Sequence, residues 1–236
     1  MESGFDLPPH LTNMTSSVMP RHMFVRCGGV RVKTIVRTLK MLFPKAYIAL
    51  TYANNWELLV AVQLSAQCTD KRVNMVTPVL FKKYKMLADY CTADSREFEK
   101  DIHSTGFFRN KTKNILAAAQ MVRDIFHGEV PRTMTEILTI PGVARKTANV
   151  VLGNAYGVVD GIAVDTHVKR LAKLLGLTKY TDPVKIERDL MAVIPKKEWF
   201  AFTYRLIDYG RAYCVARSHD HARCPLTVAL RGLSSR

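Results

Sequence analysis

The 236-residue chain contains no apolar run near the roughly eighteen residues that span a bilayer, so a membrane-spanning helix is excluded. Its first residues lack the clean apolar core of a signal peptide, since Glu2 and Asp6 interrupt it. Cysteine is scarce. The five (Cys27, Cys68, Cys91, Cys214 and Cys224) are odd in number and scattered, which argues against a secreted disulfide framework and for a reducing, cytoplasmic compartment. Period-two alternation is missing and no solenoid repeat is visible, so the sheet-based classes fall away. Acidic residues are in deficit, 20 against 35 basic ones, for a net charge of +15. A surface that short of carboxylates suits a polyanionic partner, nucleic acid above all, although a merely basic soluble protein has the same balance.

What remains is helical. Residues 1–28 carry Pro8, Pro9, Pro20 and Gly28-Gly29 with weak periodicity and read as a flexible arm. Helices are predicted at Val30–Phe43, Trp56–Gln67 behind Asn54 or Asn55, Asp70 to about Tyr84 with Asp70 as cap, and Asn110–His127. Shorter pieces lie near 85–90 and 95–103. A short helix begins at Thr133 or Thr135, and later ones cover about 144–156, 166–175, 182–193 and 198–213. The fold class is all-α.

One stretch, Leu138 to His167, holds the chemistry. Pro141 ends a helix because it has no N–H to donate, and Gly142 lets the backbone approach an outside group closely. The helix that follows presents its free amides and dipole to that turn, with Arg145 and Lys146 in its first turn; together these suit a phosphate. Asp165 precedes Thr166-His167 and reads as an N-cap, as a carboxylate facing the same space as Lys146, or as both.

The stretch resembles the helix–hairpin–helix element of the endonuclease III family of DNA glycosylases. Ile140-Pro141-Gly142-Val143-Ala144 matches the hairpin, Lys146 the lysine on its second helix, and Asp165 the aspartate before Thr-His. The likeness extends through LSAQCTD (64–70), STGFFRNKTKNI (104–115), HGEVP (127–131) and LIDYGRAYCVAR (206–217). It implies a six-helix barrel over 47–158, with the hairpin at 134–156, and a second helical domain from 29–46 and 159–236. It implies a monomer that binds damaged duplex DNA across the cleft between them, in the cytoplasm at the nucleoid.

The resemblance further implies a bifunctional glycosylase and apurinic/apyrimidinic lyase that excises oxidised pyrimidines. Lys146 would be the nucleophile and Asp165 its carboxylate partner. Gln67 would fill the gap left by a flipped base and Phe107 would wedge the stack, where a helix C-terminal glutamine and a core phenylalanine are the plainer readings. Gly142, Val143, Ala144, Arg145 and Thr147 would contact DNA through the hairpin, and His167 is a pocket-wall or structural residue. Competing readings are a narrower lyase or uracil/thymine mismatch enzyme, and a non-catalytic hairpin DNA-binding module.

Three departures stand out. Many members end in C-x6-C-x2-C-x5-C around a [4Fe–4S] cluster; here Cys214 and Cys224 fill the first and third positions, but His221 and Leu230 occupy the others. No cluster and no other metal is therefore expected, a zinc site of Cys214, His219 or His221, and Cys224 lacking an evident fourth ligand. Ala144 replaces the second hairpin glycine, which an alanine tolerates only at negative φ. The interval from Lys146 to Asp165 is one residue longer than the family's, with Gly161 available to absorb it.

Overall fold

The computed structural model describes residues 29–234; the arm expected at 1–28 lies outside the described residues. Every regular element among them is helical. In order these are α1 (Gly29–Leu42), α2 (Asn55–Leu64), α3 (Asp70–Lys83), α4 (Leu87–Cys91), α5 (Ser95–Ile102), α6 (Phe108–Asp124), α7 (Met134–Ile137), α8 (Arg145–Tyr156), α9 (Thr166–Leu174), α10 (Pro183–Val193), α11 (Trp199–Ala212) and α12 (Pro225–Ser234).

The starts of these helices follow from single residues. Asn54 accepts from the amide of Glu57 and so begins α2, Asp94 caps α5, Thr133 rather than Thr135 caps α7, and Asp182 with Pro183 opens α10. Each such cap satisfies an amide that the helix itself cannot. The cap of α3 is Thr69, not Asp70. Asp70 sits one residue inside, which releases its carboxylate for other work.

Buried apolar side chains form two groups. One collects α2 to α8 around α2, whose residues Leu58 to Leu64 are all buried. The other joins α1 to α9, α10, α11 and α12. The C-terminal segment, where no helix was predicted beyond about 213, contains α12, which packs along α1 with Leu226 and Leu230 buried. Burying each such leucine contributes about 1.5–3 kcal/mol. Helix α8 packs against α2 and ends at Gly157, whose φ of +66° is a left-handed helix stop. The chain then crosses to the second group and enters α9. Lys146 and Asp165 thus begin two helices on either side of one crossover.

Candidate functional site

The hairpin between α7 and α8 is fixed from three directions. Gly142 has φ +77°, and a Cβ there would lie 2.8 Å from Cβ of Asn114 on α6; only glycine fits both the dihedral and the space. The Nε2 of Gln63, buried on α2, donates to the carbonyl of Pro141 at 3.0 Å. Val143 is buried and its amide donates to Ile140 O, so it shapes the turn from within. Ala144 has φ −96°, where alanine is unstrained, and no side chain caps the helix it opens. The first amides of α8, at Arg145, Lys146 and Thr147, are left to an outside acceptor.

Of the two cations on that turn, one is already used. Arg145 donates through Nε to Glu187 Oε2 at 2.6 Å, and the other carboxylate oxygen of Glu187 accepts from Asn149 at 2.8 Å. Gly161 lies against the same carboxylate, where any Cβ would collide. The other cation, Lys146, is half-buried. Burial lowers its pKa below the ordinary lysine value, while Asp165 and then Asp70 pull it up. Arg145 is not among the causes, consistent with its pairing to Glu187.

Asp165 does both things that its position suggested. Its Oδ1 caps α9 by accepting from Val168 N at 2.8 Å, and its charge acts on Lys146. Asp70 also reaches Arg211 of α11 at 2.7 Å. Carboxylates from the starts of α3 and α9 therefore both act by charge on the amine at the start of α8, and α11 holds the first of them through Arg211. His167 lies where Gly210 of α11 has no side chain, its Nδ1 2.7 Å from where a Cβ would be, which places it between α9 and α11. A concavity lined by Val32, Val36, Met41 and Val193 among others contains none of these residues.

Among the described residues, three exposed ones hold a left-handed backbone without being glycine: His127 at φ +52° in the turn after α6, and Gln67 at φ +53° and Phe107 at φ +49° in the loops before α3 and α6. Such strain persists only where the surroundings impose it, and it concentrates at functional sites. Phe107 is 65% exposed, so it belongs to no core. Both loops are tied to one buried cation, Lys111, whose Nζ donates to Leu64 O at 2.8 Å and to Thr105 O at 2.9 Å. Burial lowers its pKa as well. Sequence reasoning missed Lys111, Gln63 and Glu187, because nothing local marks a helix residue whose partner lies tens of positions away.

Residues 60–196 match the family model of the HhH-GPD superfamily base excision DNA repair protein. The chain is 54% identical to endonuclease III of Synechocystis sp. over 83% of its length and 90% of that protein's, and 48% identical to endonuclease III of Bacillus subtilis over 78% and 84%. The chain belongs to the endonuclease III family. Its fold superposes on a trapped endonuclease III–DNA covalent intermediate with a TM-score of 0.82 and 42% identity, covering 89% of this chain and all of the other. A non-covalent endonuclease III–DNA complex matches equally well, at 41% identity. A thermostable thymine-DNA glycosylase, at 21% identity and a TM-score of 0.72, shares the fold.

The C-terminal region corrects one expectation for this family member. No metal was expected, for want of a fourth ligand. Instead Cys214, His219, His221 and Cys224 converge, each offering one donor atom, with all four atoms within 4.8 Å of one another. The missing ligand was sought at Leu230, which is buried on α12, whereas His219 and His221 both fold back over the two thiols. The spacing rule failed because it tested one residue per expected position and took the two histidines as alternatives.

Proposed function

We propose that this endonuclease III family member is a bifunctional DNA glycosylase and apurinic/apyrimidinic lyase of base excision repair, with Lys146 as nucleophile and Asp165 as its partner. Damaged duplex DNA lies across the face where α8 begins, between the barrel at 47–158 and the terminal helices of 29–46 and 159–236. The open amides of α8 hold a phosphate. Phe107 wedges the stack and Gln67 occupies the vacated space, so that an oxidised pyrimidine turns out toward Lys146. The uncharged amine attacks C1′ of the sugar, and the base departs with the bonding electrons. Asp165 stabilises positive charge on the sugar and takes the proton that the amine loses. The aminal so formed opens as the C1′–O4′ bond breaks and O4′ takes a proton, leaving an iminium at C1′; this acidifies C2′, and loss of that proton expels the 3′ phosphate by β-elimination.

One observation carries this reading: a half-buried lysine with a lowered pKa, at the uncapped start of a helix, beside the carboxylate that opens the next one. An exposed lysine is an ammonium and does not attack carbon. Capture of a relative as a covalent DNA intermediate supports the same chemistry. The four cysteines of the family pattern are altered here in a way that changes the donors at the C-terminal site.

The test is borohydride trapping on a duplex with an abasic site. Wild type gives a covalent adduct, and Lys146→Ala lowers its rate of formation by roughly 10³-fold or more while still binding DNA. Undiminished trapping by Lys146→Ala would remove this lysine from the mechanism. Absence of any adduct from folded, DNA-binding wild type would leave a hairpin binding module.

A further inference from the structure

We propose that Cys214, His219, His221 and Cys224 form a mononuclear Cys2His2 site for one zinc ion, standing where the family pattern places four thiolates. It goes beyond the repair chemistry and does not rest on it, since none of the four side chains is part of the Lys146 site.

The argument is one of distances. A tetrahedral zinc ion holds sulfur at about 2.3 Å and nitrogen at about 2.0–2.1 Å, so the edges between its ligand atoms measure about 3.3–3.8 Å. Cys214 Sγ lies 3.6 Å from His221 Nδ1 and Cys224 Sγ lies 3.4 Å from His219 Nε2, two edges of that size on opposite thiols. All four donor atoms lie within 4.8 Å of one another, so a contraction of an ångström or less closes the set on one ion. A cuboidal cluster is a larger object, and its ligands stand farther apart than the edges of a single-ion tetrahedron. It also takes thiolates, and half the donors here are imidazoles.

The surroundings fit ligands better than an ordinary polar cluster. His219 Nδ1 lies 2.9 Å from Arg217 O, and with the proton on Nδ1 the lone pair on Nε2 faces Cys224. That is the way protein carbonyls orient metal-bound imidazoles. Arg170 donates to the carbonyl of Cys214 at 2.5 Å and places Nη1 3.7 Å from its Sγ, suited to a thiolate. Two thiolates and two neutral imidazoles balance the charge of a divalent ion. The ion would join the end of α11, through Cys214, to the start of α12, through Cys224, and hold the intervening loop with the exposed Arg217 and Arg223.

The full-length protein, purified without chelator, tests this by elemental analysis and acid-labile sulfide. The expected result is about one zinc per chain without sulfide, and after exchange with cobalt(II) the visible absorption of a tetrahedral thiolate complex. His219 and His221 are not buried, so replacing them does not empty a core. His221→Ala and His219→Ala, with circular dichroism verifying the fold, should each weaken zinc affinity by roughly 10–100-fold or more. Iron with matching sulfide would overturn the proposal in favour of a cluster. Protein that neither carries zinc nor takes it up when added would overturn it altogether, and so would folded histidine variants with unchanged zinc affinity.

Discussion

Helices α8 and α9 begin near each other and are finished differently. The start of α9 is closed by Asp165, which accepts from Val168 N. That of α8, at Ala144, is closed by nothing. Asn54, Thr69, Asp94, Thr133 and Asp182 close other helices of this chain, while α6 and α11, like α8, begin without a side-chain cap. A cap at α8 would stabilise the fold and occupy the amides that a phosphate needs. At α9 the carboxylate caps with one oxygen while its charge acts on Lys146. Stability and function conflict at the first start and coincide at the second.

Separating the two duties of Asp165 gives the largest expected effect. Asparagine caps a helix about as well as aspartate, so Asp165→Asn should change unfolding free energy by no more than about 1 kcal/mol. The base-excision rate should fall by roughly 10²-fold or more, because the charge is gone. Thermal melts and single-turnover kinetics on one lesion duplex measure both. A large stability loss with modest kinetic change would make Asp165 a cap and little else.

The pH dependence sharpens the same contrast. Burial lowers the folded-state pKa of Lys146 below the ordinary 10.5. Between the folded and unfolded values the unfolded chain binds more protons, so stability rises with pH across that window; below the folded value the cost of the buried ammonium is present in full. The reactive form is the free amine. Adduct formation should therefore climb about tenfold per pH unit and level off below pH 10.5, and in Asp165→Asn it should level off at lower pH still, since the carboxylate raises the pKa. A profile still rising through pH 10.5 would refute the lowered pKa.

Closing the open start should produce smaller changes of opposite sign. Ala144 is exposed, with the extended dihedrals of a cap residue. Ala144→Asp should stabilise the protein by about 0.5–1 kcal/mol and weaken DNA binding by roughly tenfold at low salt, with a shallower salt dependence, because one phosphate contact is lost. Unchanged affinity would mean that DNA does not use these amides.

Much of this was legible in the sequence because the signals are local. Helical periodicity, the Pro-Gly turn, the Asp before Thr-His and the polar caps each act within a few residues. What was not legible depends on distant partners. The burial of Lys146, the diversion of Arg145 to Glu187 and the bridging of two loops by Lys111 all need the chain folded first. The tail is a different case. Leu226, Leu230 and Leu233 recur at helical spacing behind Pro225, yet no helix was predicted there, and His219 and His221 read as alternatives because only the folded loop brings both to the thiols.

Phe107 offers the subtlest contrast, since in a core or at a wedge the same ring has opposite consequences. Its side chain is exposed and its backbone left-handed, a conformation that disfavours an L-residue by about 1–2 kcal/mol. Phe107→Gly removes that strain but gives the unfolded chain a comparable entropy gain, so stability should move by no more than about 1 kcal/mol. Excision from duplex DNA should fall by roughly tenfold, because nothing then props the stack open. Trapping on a single-stranded abasic site, which has no stack to open, should be unaffected. A loss of about 3 kcal/mol or more, the range for emptying a core of phenylalanine, would instead show the ring packed inside in solution, and the strain at 107 would then serve the fold rather than the DNA.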